Sequence, residues 1–324
     1  LAQSNTPPEV LELLARLSPE EKVGQLFLVT FEGTSVDPDT AIYSLITEYQ
    51  IGGVVLTQSR SNFNDTDSVS VQAAQLIRAL QTAAAGNGGT NNSAALTPTP
   101  DSGGFVPLFI GLAHTGDSAG ISRQIYSELT PLPSAMAIGA TWNPARAEAT
   151  GLVVGRELAA MGINLLLGPN LSVVDSPNPE NPAYPGTTSF GGNPYWVSRL
   201  GQAYITGVHT GSSGQIAVIA RDFPGLGSAD RRLSDHIPPI TRSLARLLGV
   251  KLAPYAAVTD TTLPAFSQAD GLMLVPARFS ALQGTITSDT RPLVFDQSAV
   301  NQLLDRPEFA PWRTNGGLLV SEAL

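Results

Sequence analysis

A short apolar segment that ends in two charges constrains the fold of this chain more than any other feature. Residues 216–227 read IAVIARDFPGLG, in which five apolar residues precede Arg221, Asp222 and a Phe-Pro-Gly turn. A run of this length, rich in Val and Ile and bounded by turn residues, is typical of a fully buried parallel strand. Arg221 and Asp222 would then emerge at its carboxyl end, which in barrels of alternating strands and helices carries the functional groups.

The same alternation of apolar strand, polar exit and amphipathic helix recurs along the chain and predicts seven strands. We place them at residues 24–31, 53–56, 108–112, 163–167, 216–220, 271–275 and 317–320. Helices are predicted from the capping sequence that begins at Ser18, and at about 68–84, 144–161, 194–210, 243–248 and 296–304. This order predicts an α/β fold, a TIM-type (β/α) barrel whose eighth strand is missing from the sequence. We therefore expect a further element, domain or chain to cover the open edge.

Length and composition favour one large domain. The chain has 324 residues, of which 42% are apolar, so it can bury a single large core. We expect an N-terminal extension over residues 1–16 and a barrel domain over residues 17–324. Residues 86–104, GNGGTNNSAALTPTPDSGG, are rich in Gly, Asn, Ser and Pro, which predicts a flexible surface insertion.

Charge and residue usage exclude several classes of function. The net charge of -9 and the absence of a Lys/Arg run argue against binding to nucleic acid or an anionic membrane surface, so a neutral or weakly charged ligand fits better. Without cysteine and with three histidines, the sequence predicts no disulfide and no zinc site, and no loop has a calcium-binding pattern. No apolar run approaches 18 residues, so no membrane span is predicted. The opening LAQSNTPP indicates a mature or trimmed chain, and we expect an extracellular or cell-envelope location while keeping a cytoplasmic one open.

Eight stretches occur in an order and at a spacing that identify a family. They are LSPEEKVGQLFLVTFEGT, IGGVVL, PLFIGL, PLPSAMAIGAT, GRELAAMGINLLLGPNLSVVDSPNPENP, GTTSFGGNP, FPGLG and GGLLVSEAL. Together they resemble the N-terminal barrel of glycoside hydrolase family 3, in particular its β-N-acetylhexosaminidase branch. The resemblance implies retaining hydrolysis of terminal β-linked sugars, such as N-acetylhexosaminides or glucosides, without a cofactor or a metal.

The resemblance also implies a set of polar residues, from which this chain departs. It implies a nucleophilic Asp on strand seven, a Lys-His pair before Phe-Pro-Gly, an Asp after strand three, an Arg before Ser-Phe-Gly and an Asp after strand four. Here Glu322 stands at the position of the nucleophile, and Arg221 and Asp222 stand at the positions of the Lys-His pair. Ala113 replaces the Asp after strand three, Thr188 replaces the Arg, and Ser172 replaces the Asp after strand four. The scaffold motifs are therefore kept while the residues that hold the sugar are largely replaced.

Glu322 is the candidate nucleophile. Its extra methylene would move the carboxylate inward by roughly a bond length, and a misplacement of about 1 Å can cost on the order of 100-fold in rate. A retaining enzyme also needs a second group about 5–5.5 Å away. The alternative, which we weigh equally, is a carboxylate that meets solvent or a basic neighbour.

The resemblance implies an acid/base His in the loop after Phe-Pro-Gly, with an Asp two residues before it. His236 is the candidate because it is the only His in that loop and because imidazole titrates near neutral pH. Asp235, the residue that would orient it, adjoins it directly instead. A solvated surface histidine is the alternative and is favoured slightly.

Arg221 and Asp222 are candidates for binding sugar hydroxyls through charge-assisted hydrogen bonds. Alternatively, and slightly favoured, they pair with each other or with neighbouring strand ends. His114 and Tyr184 are further candidate substrate contacts, at the exits of strands three and four. The remaining large aromatic residues, Trp142, Trp196 and Trp312, are expected to serve in packing.

Two functions therefore compete, and a third stays open. The first is hydrolysis of terminal β-linked sugars, with activity that the substitutions weaken or abolish. The second is a non-catalytic carbohydrate-binding or scaffold module of the same origin. An assembly protein is the third class. A pocket shared by Glu322 and His236 would favour the enzyme, whereas a pocket blocked by an ion pair between Arg221 and Glu322 would favour the binding module.

Overall fold

The computed structural model describes residues 6–63, 68–86, 106–114, 128–174, 186–226 and 237–322. Its strands are β1 (Leu28–Val29), β2 (Gly53–Leu56), β3 (Phe109–Leu112), β4 (Leu165–Asn170), β5 (Ala217–Phe223), β6 (Pro239–Ile240), β7 (Gly271–Leu274), β8 (Arg278–Phe279) and β9 (Leu318–Ser321). Within these residues, seven strands form one parallel sheet in the order β1-β2-β3-β4-β5-β7-β9, and β6 pairs with β8 in a separate small sheet.

Helices follow and precede the strands of the large sheet. The α-helices are α1 (Pro8–Arg16), α2 (Pro19–Gly24), α3 (Ala41–Thr47), α4 (Val69–Gly86), α5 (Ala135–Gly139), α6 (Pro144–Met161), α7 (Pro194–Gly211), α8 (Leu244–Arg246), α9 (Ala253–Val258), α10 (Ser280–Gln283), α11 (Gln297–Leu304) and α12 (Ala310–Thr314). A π-helix (Leu247–Lys251) joins α8 to α9, and short 3₁₀ turns lie at Gln58–Arg60, Gly186–Thr188, Ala265–Ser267 and Leu293–Phe295.

The predicted barrel-type architecture is confirmed: the sheet is a curled, parallel half-barrel. The capping box at Ser18 is present, since its hydroxyl accepts from the Glu21 amide and its own amide donates to the Glu21 carboxylate. Residues 1–16, predicted as an extension, include α1, which buries none of its residues. The predicted insertion lies outside the described residues apart from Gly86, the last residue of α4.

One predicted boundary is wrong in a way that affects function. Arg221 and Asp222 were expected to follow the fifth strand, but β5 continues through both to Phe223. The strand can do so because its register shifts between Ala220 and Phe223, so that Phe223 still pairs with Leu274 of β7. Asp222 takes a left-handed backbone conformation, with φ of 67°, at this bulge.

The two faces of the sheet have different surroundings. The outer face packs under the helices in one large apolar core. The inner face carries a smaller apolar cluster, made of Leu165, Leu167, Ile219 and Met273 with Leu28, Val55, Ala113, Ala217 and Val320. Because side chains alternate along a strand, Arg221 continues the inner row of Ala217 and Ile219, and Glu322 continues that of Val320. Both residues are thus directed to the mouth of the half-barrel.

The sheet has two edges, β1 and β9, in the described part of the chain. An eighth strand between them would close a barrel. No described helix has the length and apolar character needed to cross a bilayer.

Candidate active site

An ion pair occupies the mouth of the half-barrel. Arg221 Nη2 donates to Glu322 Oε1 over 3.2 Å, although β7 separates the two strands that carry these residues. The side chains are only 26% and 23% exposed. This is one of the two arrangements that the sequence analysis raised for these residues, and it places a guanidinium directly on the candidate nucleophile.

A second carboxylate lies near the same guanidinium. Asp222 is buried, and its Oδ1 lies 4.0 Å from Arg221 Nε. Its Oδ2 accepts a 3.3 Å hydrogen bond from Ser172 Oγ, which in turn accepts from the Leu226 amide in the turn after β5. Ser172, at the position where the resemblance implies an Asp, thus connects β4 to the Phe-Pro-Gly turn.

The backbone of this site is supported from the helix layer by two residues that the sequence analysis missed. The hydroxyl of Tyr255, on α9, donates to the Arg221 carbonyl over 2.8 Å. Buried Lys251 donates from Nζ to the Val173 carbonyl over 2.8 Å, and its side chain lies against Gly225. The only sequence signal for Lys251 is a single charge in the otherwise apolar stretch LLGVKLAPYAAV.

The charges of this site disfavour ionisation of Glu322. Burial raises the pKa of the Glu322 carboxyl, and the negative charge of Asp222 raises it further, against the opposing effect of Arg221. Burial also raises the pKa of Tyr255 well above its ordinary value, with Asp222 again contributing. One cation therefore faces two carboxylates, and it does not fully compensate them.

Among the described residues, three buried side-chain atoms have no hydrogen-bond partner: His114 Nδ1, Arg221 Nε and Glu322 Oε2. Two of them belong to the ion pair, so this pair retains one unused donor and one unused acceptor. A hydroxyl group can satisfy both, because it donates and accepts.

His114 lies elsewhere. It continues the outer row of Ile110 and Leu112, whereas Ala113 belongs to the inner cluster. Burial lowers the pKa of His114 to about 4, so the ring is neutral near pH 7. Its cavity is lined by Asn170, Thr188, Phe190 and Tyr204 among others, and the structure does not bring His114 to Arg221 and Glu322. Its substrate-binding role stays a prediction.

Three other candidates, Tyr184, Asp235 and His236, lie outside the described residues, so their roles stay predictions. Packing is confirmed for Trp312, which is buried and donates from its indole nitrogen to the Ala269 carbonyl. Trp142 packs edge-to-face against Trp196, but more than half of this residue is exposed. Within the described part of the chain, no group of three or more acidic or histidine side chains could hold a metal ion.

Comparison with known proteins decides the family. The model of the glycosyl hydrolase family 3 N terminal domain matches residues 18–306. The chain belongs to glycosyl hydrolase family 3. The family resemblance stated from the sequence motifs is thereby confirmed.

Two relatives share between a quarter and a third of their aligned residues with this chain. Beta-hexosaminidase A of Pseudoalteromonas piscicida is 26% identical over 84% of this chain and 41% of its own length. The beta-N-acetylglucosaminidase/beta-glucosidase of Cellulomonas fimi is 29% identical over 96% of this chain and 46% of its own. This family-3 chain thus spans less than half the length of either relative.

Solved structures agree with the family-3 assignment. The beta-N-acetylglucosaminidase of Paenibacillus sp. str. FPU-7 superposes with a TM-score of 0.74 at 25% identity, covering 95% of this chain and 49% of that one. Beta-N-acetylhexosaminidase from Beutenbergia cavernae shows the same fold, with a TM-score of 0.71 at 22% identity over 95% of this chain and 79% of its own.

Proposed function

We propose that this family-3 domain recognises terminal β-linked sugars at the mouth of its half-barrel and that its hydrolytic activity is weak or lost. The ligand class rests on the family and on relatives named for N-acetylglucosaminide and glucoside hydrolysis. The observation that carries the loss of activity is the 3.2 Å hydrogen bond between Arg221 and Glu322.

An ion-paired Glu322 is poorly suited to attack a sugar. A nucleophilic carboxylate must approach the anomeric carbon to about 3–3.5 Å with an oxygen free to form the bond. Here Oε1 is held by Arg221 and Oε2, although unpartnered, is buried, and the pKa of the carboxyl is raised, which lowers the ionised fraction at a given pH. Attack would require separating the charge pair in a largely buried place, where the loss is greater than at an exposed surface.

Binding a sugar requires hydrogen bonds from the site but no attack by Glu322 on the anomeric carbon. Arg221 Nε and Glu322 Oε2 have no partner but are buried, so a sugar hydroxyl would have to move the two side chains apart before it could accept from the first and donate to the second. Hydrogen bonds to charged groups contribute about 1.5–3 kcal/mol each. The ion pair thus supports recognition of a polyhydroxylated ligand while opposing its hydrolysis.

The second candidate is a working retaining glycosidase with Glu322 as nucleophile and His236 as acid/base. One observation favours it: Glu322 lies one residue beyond β9 at the barrel mouth, and its Oε2 is unpartnered. In this case the incoming sugar displaces Arg221, and the extra methylene of Glu shortens the distance to the anomeric carbon.

We also propose that a further strand, from a longer chain or from a partner, joins β1 to β9. Large apolar side chains are exposed next to both edges, with Leu26 and Phe27 before β1 and Leu318 on β9. A paired strand would cover these side chains and satisfy the open backbone edges. An extracellular or cell-envelope location is a further proposal, which fits a ligand that is a polysaccharide end.

Hydrolysis and binding, measured side by side, test this function. Nitrophenol release from aryl β-N-acetylglucosaminide and aryl β-glucoside is followed for the wild type and for Glu322→Gln, and calorimetry records binding of chitobiose and cellobiose. We expect no release above buffer in either protein and saturable binding that weakens about tenfold in Arg221→Ala. Release that disappears in Glu322→Gln would establish the glycosidase, and the absence of both release and binding would overturn both candidates.

A further inference from the structure

We propose that Trp142, Tyr195 and Trp196 form an aromatic platform that binds β-linked glucan or N-acetylglucosaminan chains at the rim of the domain, apart from the barrel mouth. The ligand class rests on the proposed function. The location rests on these three side chains alone.

The three rings form one exposed cluster. The Trp142 and Trp196 rings lie 5.2 Å apart between centroids, and those of Tyr195 and Trp196 lie 5.3 Å apart, both nearly perpendicular. Trp142 is 57% exposed and Tyr195 is 62% exposed, whereas Trp196 is half-buried against the core. The central ring is thus anchored, and it carries an exposed ring on each side.

Two helix starts bring these rings together. Trp142 lies just before α6 and Tyr195 and Trp196 lie in the first turn of α7, and each helix starts with an Asn cap followed by Pro. Glycines let the two helices touch through their backbones: a Cβ on Gly151 would lie 2.2 Å from the Tyr204 carbonyl oxygen, and one on Gly207 would lie 2.1 Å from that of Glu148. The close approach of the helices places their amino ends, and hence the rings, side by side.

The backbone at Trp142 is strained, and burial of its ring explains this only in part. Its φ is 53°, a left-handed conformation that costs a bulky residue on the order of 1–2 kcal/mol. More than half of the side chain nevertheless faces solvent. Strained backbone positions cluster at binding and active sites, and a strained position with an exposed ring is typical of a binding role.

The chemistry around the rings fits an uncharged sugar chain. Asn143 and Asn193 are exposed beside the rings, and their side-chain oxygens accept from the first backbone amides of α6 and α7. In the described part of the chain, their amide nitrogens have no partner and can donate to sugar hydroxyls. The axial C–H groups on the flat faces of β-linked glucosyl rings match the negative faces of the aromatic rings.

The platform lies at the same end of the strands as the barrel mouth. Helix α7 follows β4, so its amino end begins at the carboxyl ends of the strands, and α6 begins beside it. Arg221 and Glu322 lie at the carboxyl ends of β5 and β9. A sugar chain held on the platform would therefore lie at the end of the domain where its terminus can enter the mouth.

Retention on insoluble polysaccharide tests the platform. Chitin beads and microcrystalline cellulose are incubated with the full chain, with Trp142→Ala/Tyr195→Ala, and with Tyr49→Ala/Phe295→Ala, whose aromatic side chains are similarly exposed elsewhere. We expect the wild type and the control variant to bind at least one solid, and the platform variant to bind at least about tenfold more weakly. Tyr195→Ala alone, at the most exposed position of the three, is expected to weaken binding as well.

Arg221→Ala, which alters the barrel mouth, distinguishes sugar binding at the mouth from sugar binding on the platform. Retention that is lost in Arg221→Ala but kept in the platform variant would overturn the platform and leave sugar binding at the mouth standing. Failure of the wild type to bind either solid, or equal retention of the wild type and the platform variant, would also overturn it. Intact folding of each variant is checked by circular dichroism.

Discussion

The Arg221 guanidinium reaches across β7 to the Glu322 carboxylate, joining two strands that do not pair with each other, at an Nη2 to Oε1 distance of 3.2 Å. Residues 101 positions apart in the chain are thus held together where family resemblance implies separate sugar-binding and nucleophilic groups. The contact converts two reactive groups into one charge pair. It also makes the site dependent on a single arginine.

Removing this arginine should destabilise the fold. Arg221→Met keeps the apolar stem but leaves Glu322 in a largely buried place without its cation, and we expect a loss of about 1.5–3 kcal/mol in the free energy of unfolding. Glu322→Gln should cost less, because the amide oxygen still accepts from Arg221. In a double-mutant cycle by urea denaturation, the double variant should lose less than the sum of the two. Wild-type stability of Arg221→Met would show that the ion pair is unimportant.

The ionisation of Glu322 predicts a pH effect of definite sign. Because burial and Asp222 raise the pKa of Glu322 above its ordinary value of 4.5, the folded state binds its proton more tightly than the unfolded state. Stability is therefore lost as pH rises from about 4.5 through the raised pKa. Urea unfolding from pH 4 to pH 8 should show Glu322→Gln gaining stability relative to the wild type over this window. A constant difference between the two proteins would contradict the raised pKa.

His209 predicts a second pH effect at the opposite end of the barrel. Its Nδ1 lies 3.0 Å from the Phe266 carbonyl oxygen and its Nε2 lies 3.0 Å from Asp270 Oδ2, and both partners only accept when Asp270 is ionised. The ring must therefore carry both protons to make both hydrogen bonds. Burial disfavours that charge, but the hydrogen bond and charge of Asp270, helped by Phe266, outweigh it and raise the pKa of His209.

The stabilisation from His209 should be complete below about pH 6.5 and be lost as pH rises through the raised pKa, since the folded state holds the extra proton. Thermal or urea unfolding between pH 5.5 and pH 9 should show the wild type losing stability relative to His209→Gln as pH rises. Parallel curves for the two proteins would indicate that this ring is neutral.

The close contact of α6 and α7 predicts a strong effect of a single methyl group. In Gly151→Ala the new Cβ would lie 2.2 Å from the Tyr204 carbonyl oxygen, so the helices must separate, at a cost of about 1–3 kcal/mol. Gly249→Ala is the matched control, because its Cβ would meet nothing within 4 Å. Equal stability of the two variants would contradict the glycine contact.

Local signals were sufficient to predict much of the fold. The helix predicted at about 144–161 is observed as Pro144–Met161, with Asn143 capping its start, Pro144 as its first residue and Gly162, at φ of 90°, after its end. Strand Gly53–Leu56 was likewise predicted from a short apolar run between turn residues. These elements depend on neighbours in sequence, which a linear pattern records.

The candidate site depends on contacts that a linear pattern does not record. The register shift that keeps Asp222 within β5 is set by pairing with β7, and the partner of Arg221 is set by the curvature of the sheet. From the sequence alone, that ion pair is one of two alternatives for Arg221 and Glu322. The exposure of Trp142 was missed because a tryptophan beside an apolar segment is ordinarily buried.

Covalent trapping tests most directly whether the Glu322 carboxylate acts as a nucleophile. The full chain is incubated with activated fluorosugars of glucosyl and N-acetylglucosaminyl configuration, which accumulate a glycosyl-enzyme intermediate in retaining glycosidases, and intact mass is recorded with Glu322→Gln as the control. With Glu322 held by Arg221, no mass increase is expected in either protein. An added fluoroglycosyl mass that maps to Glu322 and is absent from Glu322→Gln would show that the carboxylate is a working nucleophile.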